Sequence, residues 1–205
     1  MNMYRLLCTV LVTFSLWLLP AWGEAAEHAP LRVAQVPLVV TDSCWQVPSQ
    51  AVQDTLERKI DRALHVPLNG VLQAVTFLPE KDCEQALDDA YVALGRRARL
   101  RDVVRHMGTQ LDADLVVVPM LTGYEQYTHF GWHWERGPYL HSYAAVTLGI
   151  YDRRTDEAFS KVGSRMFDDE YAAWGEVATL VQEAMDQALQ EVGLHTRLMA
   201  GTKNK

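Results

Sequence analysis

The sequence is poor in the patterns that announce chemistry. It has no G-x-S-x-G elbow, no G-x-G-x-x-G, no glycine-rich phosphate loop and no HExxH pair. Nucleophile-elbow hydrolases, dinucleotide enzymes, phosphate-loop proteins and zincins therefore have no motif to rest on. Excess positive charge is missing as well: 19 Lys and Arg against 26 Asp and Glu leave a net −7, which argues against a nucleic-acid surface spread over the molecule. The one basic run, RRARLR at Arg96 to Arg101, reads as a solvated helix start. There is no internal repeat, no low-complexity tract and no inter-domain linker. At 205 residues and 49% hydrophobic, the chain can bury one ordinary core.

Only one apolar run is long, and it lies at the start. Arg5 supplies a positive flank, Leu6 to Leu19 is continuously apolar, Pro20 breaks it, and Ala21-Trp22-Gly23 offers small residues at a cleavage site. The run is shorter than the roughly 20 residues of a membrane-spanning helix. Residues 1–23 are thus expected to be a cleaved export signal and 24–30 a flexible leader, giving a periplasmic or secreted protein with no transmembrane segment after cleavage. Cys8 is too early for lipidation and leaves with the signal. That leaves Cys44 and Cys83, an even pair in an oxidising compartment, for which a disulfide is expected. It would close a loop of about 40 residues and contribute about 4 kcal/mol on the chain-entropy model.

The remaining chain alternates between the two periodicities. Leu31 to Thr41 reads as an interior strand, followed by a helix carrying Val52, Leu56, Ile60 and Leu64. Leu72 to Leu78 reads as a second strand, then a helix from Asp82 to Leu94 and another through Val103, Val104 and Met107. Strand, helix, strand, helix, strand predicts a parallel β-α-β arrangement, with Leu115 to Leu121 as the central strand. Cys44 and Cys83 then fall past the carboxyl ends of neighbouring strands. Ala144 to Tyr151 and Ala158 to Phe167 continue as an antiparallel meander. Val177 to Val192 closes the domain as an amphipathic helix capped by Gly193. The expectation is a single α/β domain over 31–193, with a mixed parallel and antiparallel five-stranded sheet, three to four helices, and a flexible tail over 194–205.

The xVAxxPL pattern at Leu31 to Leu38, the LDADLVVVPMLTGY strand at Leu111 to Tyr124, the YDRRTDEAF turn at Tyr151 to Phe159 and the closing helix together carry a resemblance. In this order they resemble the periplasmic domains of curli-secretion-type (CsgG-like) proteins, outer-membrane activators of peptidoglycan synthases, and the amino-terminal domain of the translocation protein TolB. The resemblance spans most of the chain after residue 30. It implies a compact mixed sheet used for contact with other proteins, with an assembly role for the hairpin.

The oddest residues lie between the third and fourth strands. Tyr124, Tyr127, Phe130, Trp132, Trp134, Tyr139 and Tyr143 alternate there with His129, His133, Glu135 and His141. If the strands extend into a hairpin, His129, His133 and Glu135 share a face opposite Phe130, Trp132 and Trp134. Three readings follow. The aromatics are a recognition surface for an envelope protein or cell-wall component. Alternatively, His129, His133, Glu135 and His141 hold a metal ion, as a binding site or a metal-dependent enzyme. In the third, the rings fold down as a satellite core over solvated histidines. The first is preferred: a non-catalytic binding or assembly module with no cofactor, compatible with a homo-oligomer. Ser142 beside His141 is adjacency without a triad. Asp112 with Asp114, and Asp168, Asp169 and Glu170, read as solvated loop carboxylates.

Overall fold

The computed structural model describes residues 29–130, 138–170 and 172–203. One sheet organises them: β1 (Leu31–Gln35), β2 (Val39–Val40), β3 (Val75–Phe77), β4 (Leu115–His129), β5 (Tyr139–Asp152) and β6 (Glu157–Glu170). The order is β3-β1-β4-β5-β6, with β2 pairing farther along β4. β1 runs parallel to β3 and β4, whereas β5 and β6 are antiparallel to their neighbours. The mixed α/β sheet is the one the periodicities predict, with five strands in its main path.

The expected first strand, Leu31 to Thr41, divides in two. Gln35 pairs with Val117 and Val39 with Met120, so three residues, 36–38, face two, 118–119. Pro37 falls within that extra length, where a residue without an N–H costs no ladder bond. Val36 still donates to the Val117 carbonyl at 3.0 Å.

The helices are α1 (Gln50–Ala63), α2 (Asn69–Leu72), α3 (Glu80–Leu94), α4 (Leu100–Gln110), α5 (Val177–Val192) and α6 (Leu194–Lys203), with a 3-10 turn at Ala173–Gly175. From β1 the chain steps outward to β3, and from β3 it returns across β1 to β4. Right-handed crossovers taken in opposite directions put their helices on opposite faces. α1 therefore packs with α5 and α6 on one face, over Val33, Leu115, Val117 and Leu121. α3 and α4 cover Ala34, Val116 and Val118 on the other.

This reversal removes the expected disulfide. Cys44 and Cys83 are both free thiols. Cys44 packs against the first cluster, where its Sγ donates to the Leu121 carbonyl at 3.3 Å, and Cys83 is wholly buried in the second. The sheet stands between them. Burial pushes both thiols above their ordinary range, leaving little reactive thiolate. Adding a reductant should therefore leave the melting temperature unchanged, and the folded chain should run identically with and without reductant on a gel. A reductant-dependent melting temperature would restore the bridge.

The tail is corrected too. Leu194–Lys203 is helical, with Leu194 and Leu198 fully buried one turn apart. Gly193 adopts φ 61°, so the chain can turn sharply out of α5 and start again. The Arg197 guanidinium pairs with Glu157 at 2.9 Å and lies 4.8 Å over the Phe159 ring, pinning α6 to β6.

Near the amino end of β1, Asp112 bridges Arg153 and Arg32, the latter at 2.7 Å. The Arg153 hydrogen bond, then its charge, holds the Asp112 carboxyl below the usual carboxylate range. A depressed folded value contributes stability above the unfolded pKa and loses it as pH falls through the folded one. Asp112→Asn should thus melt below wild type near neutrality. The gap between the two melting curves should close as pH falls below the ordinary carboxylate range and through the depressed folded value, where the carboxyl is protonated in both states. A gap that persists in acid would mean that Asp112 acts through backbone geometry instead.

Candidate functional site

β4 and β5 run on well past the helices. Their pairing continues from Leu115–Asp152 out to His129–Tyr139, and β6 follows as far as Glu170. The side chains on each face of this extension are set by one irregularity. Leu121 pairs with Val146 and Gly123 with Ala145, so Thr122 is an unpaired extra residue. A bulge of one residue reverses the alternation beyond it. Up to Leu121 the odd-numbered residues of β4 face α1 and α5. Beyond Thr122 the even-numbered ones do, beginning with Tyr124.

Tyr124 is therefore core, 7% exposed, and is removed from the contact surface expected of it. Burial pushes its phenol above the usual range. Gln126, on the same face, accepts the Val177 N–H at 2.7 Å and holds the first turn of α5. Ser142 is fully buried on this face, and its hydroxyl has no hydrogen-bond partner among the described residues. His141 points to the other face, so the two neighbours share no chemistry.

That other face gathers the remaining candidates. Tyr127 stacks on His141 at 4.7 Å and 25°, and His129 stacks on Tyr139 at 5.7 Å and 25°. Tyr127 and His129 are tilted neighbours at 6.1 Å. Tyr143 lies across Gly123, where a Cβ would sit 2.6 Å from the ring. Carboxylates border the rings: Glu125 and Asp168 each approach His141 at 3.7 Å, and Glu170 stands beside Tyr139 across the β5–β6 ladder. Among the described residues no helix covers this region. Tyr127 is 49% exposed, and Met166 and Val162 on β6 are 68% and 50% exposed. Phe130, just past β4, is also largely exposed.

Trp132, His133, Trp134 and Glu135 lie outside the described residues. Of the expected metal set, His129 and His141 share the face with the Tyr127 ring between them. Among the described residues no group of three or more His, Cys, Asp or Glu could hold a metal ion. Met166, Val162, Trp45 and Trp174 were not singled out in the sequence. The first two belong to the uncovered face, and Trp174 packs edge-on to Phe167 at 4.5 Å. For Met166 and Val162 the available signal is their two-residue alternation on β6, which shows only once the uncovered face is known.

A cleft of about 270 Å³ opens where β1 and β3 end, between Gln35, Pro37, Glu57, Asp61, Phe77 and Glu80. Three of its polar side chains are engaged: Gln35 donates to Asp61 at 2.8 Å, and Glu57 accepts the Leu38 N–H at 3.3 Å.

No protein-family model and no curated protein matches the chain. Solved structures overlap with it loosely. The lipoprotein GNA1162 from Neisseria meningitidis is 14% identical, covering 77% of this chain and 97% of its own, with a TM-score of 0.36. The PelC dodecamer from Paraburkholderia phytofirmans gives 13%, 78%, 86% and 0.38. The LpoB carboxy-terminal domain from Escherichia coli gives 14%, 69%, 87% and 0.31. Overlaps this partial leave function to the chain's own residues.

Proposed function

We propose that the chain is an exported envelope protein, its first 23 residues removed, whose β4–β5–β6 extension captures a partner protein without performing catalysis. The observation that carries this reading is the uncovered face of stacked rings, Tyr127 on His141 and His129 on Tyr139, with Tyr143 and Met166 beside them. Rings already stacked lose little freedom on binding and offer large contact area. Glu125, Asp168 and Glu170 at its border favour a partner segment bearing Lys or Arg, which the ring faces also attract. The export signal rests on the Leu6 to Leu19 run. Among the described residues no helix is long and apolar enough to cross a membrane.

A photo-crosslinking residue placed at Met166 in the exported chain tests the reading. A discrete adduct with one envelope protein is expected, absent when the same residue replaces Val92 on α3, and lost when Tyr127 and Tyr139 are both alanine. Equal labelling at both positions, or an adduct indifferent to the tyrosines, would sink it.

A further inference from the structure

β6 is the last strand of the sheet, and among the described residues no strand pairs with its outer side. Exposed edges are usually kept short, interrupted by proline or twisted away by a bulge. β6 uses none of these devices. It runs 14 residues without a proline and without a register shift against β5. On the uncovered face its central side chains, Ser160, Val162, Ser164 and Met166, carry no charge.

The direction of its backbone groups follows from β5. The Thr122 hydroxyl meets the Ala145 carbonyl at 3.3 Å, so Ala145 aims that carbonyl at β4. In an antiparallel ladder the N–H and C=O of one residue point to the same side. Ser164, opposite Ala145, therefore presents both groups outward, as do the even-numbered residues from 158 to 170. Two side chains agree: the Arg165 guanidinium donates to the Ser164 carbonyl at 2.9 Å, and the Asp169 carboxylate accepts the Glu170 N–H at 2.8 Å. The Ser164 oxygen keeps a second lone pair. A row of outward groups at this spacing is matched by another strand.

The strand that complements β6 is β6 itself. With two copies antiparallel and Ser164 on the two-fold axis, Val162 falls opposite the second copy's Met166, and Met166 opposite its Val162. Both are exposed apolar side chains in the single chain. Ser160 meets Asp168, a hydroxyl donor against a carboxylate, while Lys161 meets Phe167 and Arg165 meets Gly163. From 158 to 170 no charged side chain stands opposite another. Neighbouring registers lose this. An axis at Gly163 sets Lys161 against Arg165 and Glu157 against Asp169, and one at Arg165 sets that residue against itself. An axis at Val162 leaves 168–170 unpaired.

We propose that β6 is a homodimer interface, with two copies joined into one continuous sheet by antiparallel β6–β6 pairing centred on Ser164. Directly opposed residues share a face, so the two uncovered ring faces lie side by side on one side of that sheet.

Sedimentation equilibrium of the exported chain should show a concentration-dependent dimer. Val162→Lys with Met166→Lys sets Lys against Lys at both positions and should weaken the dimer at least about tenfold. Val162→Lys with Met166→Glu sets Lys against Glu and should restore it. Thermal melts verify that both variants fold. Ser164→Cys should give a disulfide-linked dimer on mild oxidation, and Ser160→Cys should not. A monomer up to about 0.1 mM overturns the proposal. So does a dimer that both charge variants keep or lose alike, or one crosslinked equally at 160 and 164. The self-adduct this pairing implies for a photo-crosslinker at Met166 has twice the chain's mass and is indifferent to Tyr127 and Tyr139. It is thereby told apart from the adduct with a partner protein, and either reading can fail alone.

Discussion

Gly163→Ala should destabilise the protein by roughly 3 kcal/mol, the upper part of the range for overpacked sites. For a chain of this size that lowers the melting temperature by about 6–12 °C. Gly163 sits on β6 opposite Val146, on the face that receives α5. A Cβ built there runs into the Ala184 carbonyl oxygen and comes within 2.8 Å of the Ala188 nitrogen. These are backbone atoms of a helix whose Leu180, Val181, Ala184, Met185 and Ala188 are all core, so no flexible side chain can swing away. The helix must lift, and its apolar face with it. A thermal melt of the variant checks this, and an unchanged melting temperature would mean that α5 does not lie so close to β6.

Truncating Tyr127 and Tyr139 together should have the opposite signature. Each is an exposed or half-exposed ring on the uncovered face, so folding should lose about 1 kcal/mol or less, as at ordinary surface sites. Affinity for the partner identified by crosslinking should fall at least about thirtyfold per ring, the loss for interface positions worth about 2 kcal/mol. Calorimetry on the purified pair and a thermal melt separate the two effects. If melting falls by many degrees while binding survives, the rings are a satellite core and the proposed interface is wrong.

Much of the fold was legible because its signals were local. The α5 stripe and the β-branched run of Leu115 to Leu121 emerge where expected, and the change from parallel to antiparallel follows from element order. Strand order in space was not legible, and the cysteine pairing failed with it: Cys44 and Cys83 follow adjacent strands but sit behind opposite faces. The second strand is shorter than its apolar content suggests because Asn69 binds Val75 and turns Asn69–Leu72 into helix. The helix after residue 193 was hidden by the polar residues around Leu194 and Leu198. In the site, the stacking of Tyr127, His129, Tyr139 and His141 on one face requires a bulge that no residue type announces.

The bulge has a consequence for how this region can change length. Thr122 acts as a parity switch: its hydroxyl rests near the Ala145 carbonyl and Thr147, and its carbonyl takes the Ser43 hydroxyl, so it fits the site without filling a ladder position. Losing one residue at this point would put Leu121 and Gly123 in consecutive ladder positions, so the bulge would vanish while Tyr124 stayed against α5 and Tyr127 outside. Losing two residues there would instead exchange inside for outside along distal β4, driving Tyr127 towards α5 and Tyr124 into water. Which way the ribbon faces is therefore decided by arithmetic well before its tip.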